Sequence, residues 1–142
     1  ETEHFRNVDR HTVLTVPHVL SIRIDEALTY LNARWLEEYV LECVAGRPEL
    51  RHVILMCSAV NDIDASALES LEAINHGLGA AGIALHLSEV KGPVMDRLAR
   101  THFLDELNGR VFLSQDRAFS ELSRDTGNPA PAADHYLARE MI

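Results

Sequence analysis

The apolar run from Val53 to Cys57 passes almost directly into the segment Asn61-Asp62-Ile63-Asp64-Ala65-Ser66-Ala67-Leu68. So short and continuous an apolar run reads as a strand buried on both faces, as in a parallel sheet. The acidic turn then opens a helix whose Ala67, Leu71, Ile74 and Leu78 share one face and which ends among Gly77, Gly79 and Gly82. A parallel neighbour can be reached only by a crossover, so this strand, turn and helix commit the chain to a layered α/β fold.

The flanking text repeats the pattern. Thr12 to Val16 and Val19 to Ile24 are β-rich runs parted by Pro17-His18. Both read as strands near a sheet edge, and their short connection makes them antiparallel neighbours. Asn32 is placed to cap a helix running to about Ala45, with Leu36, Tyr39, Val40, Cys43 and Val44 on its apolar stripe. Gly46-Arg47-Pro48 stops it. Ile83 to Leu87 is a further strand, and Gly92-Pro93 opens a third helix with Val94, Met95 and Leu98 facing inward. Phe103, Leu104 and Leu107 are packing residues before a turn at Asn108-Gly109. A last short strand spans Val111 to Leu113, and Ser114 caps a fourth helix to about Arg124 with Phe119 and Leu122 buried. The expectation is a single domain over 11–125: a mixed, mostly parallel sheet of about five strands with about four helices packed on it. Residues 1–10 read as a linker and 126–142 as a flexible tail.

Charge and composition exclude several functions. A formal charge of −9 leaves no basic cluster to displace counterions from DNA or RNA, and does not suit flat binding to an anionic membrane. No apolar run approaches the roughly 18–20 residues that span a bilayer. The start Glu1-Thr2-Glu3-His4 has no signal-peptide pattern, and the missing initiator Met suggests a piece of something longer. Cys43 and Cys57 lack C-x-x-C spacing and read as free, mostly buried thiols. The eight histidines show neither zincin spacing nor a Cys/His cluster, so no metal site is expected.

Ser66 supports two readings. Ser66-Ala67-Leu68-Glu69 is a capping box, with Asp64 as a competing cap; alternatively, a phosphate on Ser66 would sit at a helix N-terminus and change the surface seen by a partner. A hydrolase built on Ser66, Asp64 and His86 lacks the G-x-S-x-G elbow. The loop Glu89-Val90-Lys91-Gly92 follows the next strand and so belongs to the same sheet end as Asp62, Asp64 and Ser66, the end where α/β sheets bind ligands. There Gly92 would permit close backbone approach, and Lys91 either meets an anion or is simply solvated.

Ile63-Asp64-Ala65-Ser66-Ala67-Leu68 resembles the M-D-S-S-G-L signature of STAS domains, the module shared by sulfate transporters and anti-sigma factor antagonists. Ser66 matches the serine that antagonists have phosphorylated, while Ala65 and Ala67 replace the first serine and the glycine. The segments 3–8, 23–33 and 86–95 are similar to the transporter branch, the SulP-type anion permeases, and the resemblance covers about residues 3–124. It implies a noncatalytic regulatory domain at the cytoplasmic face, following a membrane domain of the same polypeptide. The implied contacts are with that membrane domain, with a second protomer of the intact transporter and with an unidentified cytoplasmic protein, together with weak GTP or ATP binding and no other cofactor. Asp62, Asp64, Ser66, Glu89, Lys91 and Gly92 form the expected interaction surface. The alternative is a free-standing anti-sigma factor antagonist switched by phosphorylation of Ser66.

Overall fold

The computed structural model describes residues 12–124 and 137–140. In chain order the elements are β1 (Thr12–Val16), β2 (Val19–Arg23), α1 (Ala33–Ala45), β3 (His52–Met56), α2 (Ala65–Ala80), β4 (Ala84–Ser88), α3 (Gly92–Ala99), α4 (Phe103–Glu106), β5 (Val111–Phe112), α5 (Gln115–Ser123) and β6 (Leu137–Glu140). They build one sheet of order β5-β4-β3-β2-β1-β6. The strands β2 to β5 are parallel, and β1 is antiparallel to both of its neighbours.

Strand alternation sorts the side chains onto two faces. Leu20 and Ile22 of β2, Val53 and Leu55 of β3, and Leu85 and Leu87 of β4 point to one face, where they pack with Leu36 and Val40 of α1, Leu71 and Ile74 of α2, Leu98 of α3 and Phe103. Val19, Ile54 and Phe112 point to the other, under Ala118, Phe119 and Leu122 of α5. β3 is therefore covered on both sides, as its unbroken apolar run demands.

Beneath α5 the second face is partly polar. Gln115 donates from Nε2 to Ser21 Oγ at 2.6 Å and accepts from Ser88 Oγ at 2.7 Å, so three buried side chains on α5, β2 and β4 satisfy one another. Nearby, His86 Nδ1 accepts the Arg110 backbone N–H at 3.0 Å. The ring proton must then sit on Nε2, which faces His52 Nδ1 at 3.0 Å and donates to it. Burial, reinforced by the charges of His52 and Arg110, pushes the His86 pKa down to about 4. Protonation would also set an N–H against the Arg110 N–H.

Several sequence expectations need correction. β2 lies inside the sheet and β1 is covered by β6, so neither is an edge strand. Leu137–Glu140, assigned to the tail, adds the sixth strand; four residues without apolar alternation carry no strand signal. The single-turn α4 is likewise too short to show a period. Met95 is only half-buried, and Leu113 stands outside β5, exposed. Asn32 occupies the cap position of α1 without capping it: its amide accepts from Thr29 N and donates to Ala27 O, closing the preceding loop on itself. The linker 1–10 and residues 126–136 lie outside the described residues.

Two turns depend on missing side chains. Asn75 of α2 bonds Glu106 O and Asn108 N, and Asn108 returns a bond to Asn75 O, which seats the 106–108 turn over Gly79. A Cβ on Gly109 would collide with the Leu85 carbonyl and lie 2.5 Å from His86 Nδ1. Gly109→Ala should accordingly destabilise the fold by about 2–4 kcal/mol, in the range of overpacking and lost buried hydrogen bonds, as read by urea denaturation. His86 sets a pH dependence of definite sign. Its folded pKa lies below the ordinary 6.5, so its contribution is complete above pH 6.5 and is lost as pH falls toward 4. His86→Asn should flatten the fall in melting temperature across that interval.

Candidate interaction site at the carboxyl edge of the sheet

The parallel strands β2 to β5 all end at one edge, and the loops that follow them carry every candidate residue except Ser66 and Gly92, which stand at the first turns of α2 and α3. Asp64 organises this edge. It is the N-cap of α2: one carboxylate oxygen accepts the Ala67 N–H at 2.8 Å and the other accepts the Tyr30 N–H at 3.0 Å. Its backbone N–H donates to Leu28 O, and Leu28 N–H donates to Asp62 O, so residues 28 and 63 form an isolated parallel bridge. One carboxylate thus stops a helix from fraying and fixes the loop after β2 to the loop after β3.

Asp64 wins the competition for the cap, and the capping reading of Ser66 is corrected. Ser66 lies one residue inside the helix, exposed, and its hydroxyl makes no hydrogen bond among the described residues. It faces a groove of about 470 Å³ between the first turns of α1 and α2, lined also by Tyr30, Arg34, Glu37 and Glu69. Arg34 is exposed and has no ion pair among the described residues. Tyr30, 69% exposed, and Leu31, 71% exposed, project beside this groove. Neither belongs to the six residues that the sequence points to. The available signal was an aromatic and a leucine just before the helix and off its apolar stripe.

The loop after β4 is more structural than expected. Glu89 takes a left-handed backbone at φ 56° and its carboxylate accepts the Gln115 N–H at 2.9 Å, at the first turn of α5. A non-glycine residue held there costs about 1 kcal/mol or more, and the contact to α5 offsets it. Lys91 donates to Asn61 Oδ1 at 2.7 Å and joins the loops after β4 and β3. Gly92 is exposed at the start of α3, with nothing within 4 Å of a Cβ position, so no close approach inside the domain requires a glycine there. The Asp62 carboxylate is exposed and, among the described residues, accepts only the neighbouring Ile63 N–H. Of the six candidates, Ser66 lines the groove, Asp64 holds the neighbouring Tyr30 loop, Asp62 is bonded through its carbonyl to the loop after β2, and Glu89, Lys91 and Gly92 follow β4.

Burial pushes the Cys57 thiol up to about 12, leaving it protonated at neutral pH, and its Sγ–H donates to Leu55 O. Among the described residues no His/Cys/Asp/Glu group could hold a metal, and no helix is long and apolar enough to cross a membrane. His86 is committed beneath α5 on the opposite face from α2, out of any triad with Ser66.

The family model described as STAS domain matches residues 11–118. Sulfate transporter 1.3 of Arabidopsis thaliana is 32% identical over 134 residues, covering 86% of this chain and 20% of the relative. The chain thus spans about a fifth of the length of that relative. The crystal structure of a sulfate transporter family protein from Wolinella succinogenes aligns at a TM-score of 0.68 with 25% identity, covering 78% of this chain and 88% of the other. The anti-sigma factor antagonist SpoIIAA of Bacillus, in its unphosphorylated form, shares the fold at a TM-score of 0.59 with 12% identity, covering 78% and 94%.

The two hydroxyl and carboxylate roles at α2 separate by mutation. Asp64→Ala should cost about 1–2 kcal/mol through the lost cap and the released Tyr30 loop, whereas Ser66→Ala should stay within about 0.5 kcal/mol. Paired urea denaturation curves check both; equal losses would return the capping role to Ser66.

Proposed function

This chain belongs to the STAS domain family, and we propose that it is the noncatalytic regulatory domain of a membrane anion transporter of the sulfate transporter kind. The observation that carries this reading is the match of most of this chain to about a fifth of a sulfate transporter. The remaining four-fifths would hold the membrane-embedded pathway and the choice of anion. The domain, at the cytoplasmic face, would act by contact. Regulation then requires that its surface meet different neighbours in two states of the transporter, since only differential contacts shift an equilibrium.

The groove at Ser66 suits such a switch. The hydroxyl is exposed, carries no structural bond among the described residues, and opens beside Arg34 as well as Glu37 and Glu69. A phosphate there would add a charge of about −1.5 to −2 near the positive end of α2, and would reorder the mixed charges lining the groove. The same exposure supports a second reading, a free-standing anti-sigma factor antagonist switched at Ser66. Weak GTP or ATP binding would use the same groove, with Arg34 meeting the phosphates.

In the polypeptide encoded by the full reading frame, expressed in cells lacking endogenous sulfate uptake, Ser66→Glu should change the rate of labelled sulfate uptake several-fold while the purified 142-residue domain keeps its melting temperature within about 2 °C, the shift expected of a neutral surface change. Unchanged uptake at equal expression would remove the switch role. A reading frame without membrane-spanning segments would replace the transporter reading with the antagonist one.

A further inference from the structure

The first turn of α2 has two flanks. Ser66, Glu69, Ser70 and Ala73 face the groove shared with α1, whereas Ala65 and Leu68, three residues apart, face the last turn of α3. There they line a separate cleft of about 250 Å³, together with Ile63, Arg97, Leu98 and Arg100. Its floor is hydrocarbon: Ile63 and Leu98 are buried, and Leu68 is half-buried against the core. Thr101, also in the lining, has its hydroxyl engaged, donating to Leu98 O at 2.7 Å and accepting the Phe103 N–H at 3.1 Å. Ala65 stands where the STAS signature has its first serine, so that departure removes a hydroxyl from the wall of this cleft.

Two guanidinium groups border the apolar floor. Arg97 and Arg100 are exposed at the end of α3, three residues apart and so on one face, and neither side chain has a hydrogen bond or ion pair among the described residues. One basic residue in that turn would serve the helix dipole; a second beside the same cleft goes beyond that need. Asp64 alone of the lining residues is acidic, and its two oxygens take the Ala67 and Tyr30 N–H groups. Arg34 belongs to the groove on the other flank of α2, and Lys91 lies at the opposite end of α3, on Asn61. In a chain of net charge −9 the cleft is a local excess of positive charge over an apolar surface.

That combination selects a ligand with both characters. An inorganic anion would use the arginines and leave the hydrocarbon wet; a neutral hydrocarbon would do the reverse. The volume falls below the roughly 300–1,000 Å³ of sites for drug-sized ligands, which sets nucleotides aside. At about 30 Å³ per water in the liquid, the cleft holds the volume of about eight waters, and a methylene takes nearly the same room, so a chain of about eight to ten carbons fits. We propose that the cleft between α2 and α3 binds a medium-chain alkyl carboxylate, its chain on Ile63, Leu68 and Leu98 and its head held by Arg97 and Arg100. Guanidinium groups suit that head because their paired N–H donors match the two carboxylate oxygens. A bound chain would tie the end of α3 to the first turn of α2 beside the Asp64 cap, and so report a metabolite at the carboxyl edge without entering the groove at Ser66. The inference stands apart from the transporter reading.

The test titrates the purified 142-residue chain with sodium decanoate, kept below its micelle concentration, by calorimetry and by amide chemical shifts. The expected result is one saturable site with shifts concentrated in residues 63–68 and 97–101. Acetate, the head alone, and decanol, the tail without charge, should each bind at least ten-fold more weakly. The double variant Arg97→Gln/Arg100→Gln should lose at least ten-fold in decanoate affinity, and Ala65→Trp, at an exposed position on the cleft wall, should lose as much by filling it. Melting curves check that both variants stay folded; the two arginine side chains are exposed and unbonded, so their variant decides even if Ala65→Trp misfolds. No saturable binding, shifts centred on the Ser66 groove, or full affinity in the arginine variant would overturn the inference. So would arginine-dependent cosedimentation with phosphatidylglycerol vesicles in the absence of decanoate binding, which would make the cleft a contact for lipid headgroups instead.

Discussion

The Asp64 carboxylate is the point on which the carboxyl edge turns. Its two oxygens accept backbone N–H groups from different parts of the chain, Ala67 in the first turn of α2 and Tyr30 in the loop after β2. A charged acceptor on a helix N-terminus is among the stronger hydrogen-bonding arrangements available near a surface. Because that one group holds both the helix start and the adjoining loop, the groove at Ser66 and the projection of Tyr30 and Leu31 share a single cause. The hydroxyl two residues along is thereby released from structural duty. A serine that must cap its helix could not be modified without loosening the fold; the Ser66 hydroxyl makes no such bond among the described residues.

The opposite face is built for rigidity. Gln115 links Ser21 and Ser88, and the Gln115 N–H is taken by Glu89, whose left-handed backbone closes the loop after β4. The loop at the carboxyl edge and α5 on the far side of the sheet are consequently one connected unit. A partner that displaced Glu89 would expose the first turn of α5 and strain a buried polar network, which is an expensive change. The cheaper place for adjustment is the other end of the edge, where Tyr30, Leu31 and Ser66 are exposed.

Much of this was legible in the sequence for physical reasons. The unbroken run Val53 to Cys57 marks a doubly covered strand, and the apolar spacing of α1 and α2 marks the helices that cover one side of it. Ser114 capping α5 and Pro93 opening α3 were read correctly from local chemistry. What escaped was decided at long range. Whether Asp64 or Ser66 caps α2 depends on Tyr30, more than thirty residues away, which rewards the Asp64 position with a second bond. The structural use of Glu89 depends on α5, and that of Asn32 on a loop closing over Ala27. β6 and α4 are too short for any periodicity to show. All six candidate site residues do lie at one edge, because strand order alone brings their loops together; the exposed Tyr30 and Leu31 stood outside that argument, since a sequence does not show which apolar side chains are left uncovered.

The most direct test of the proposed regulatory role of this edge is amide hydrogen exchange, compared between the 142-residue chain alone and the same chain within the product of the full reading frame. The account predicts added protection over residues 28–32 and 60–66, with α5 unchanged. Added protection over α5 and none at the carboxyl edge would contradict it.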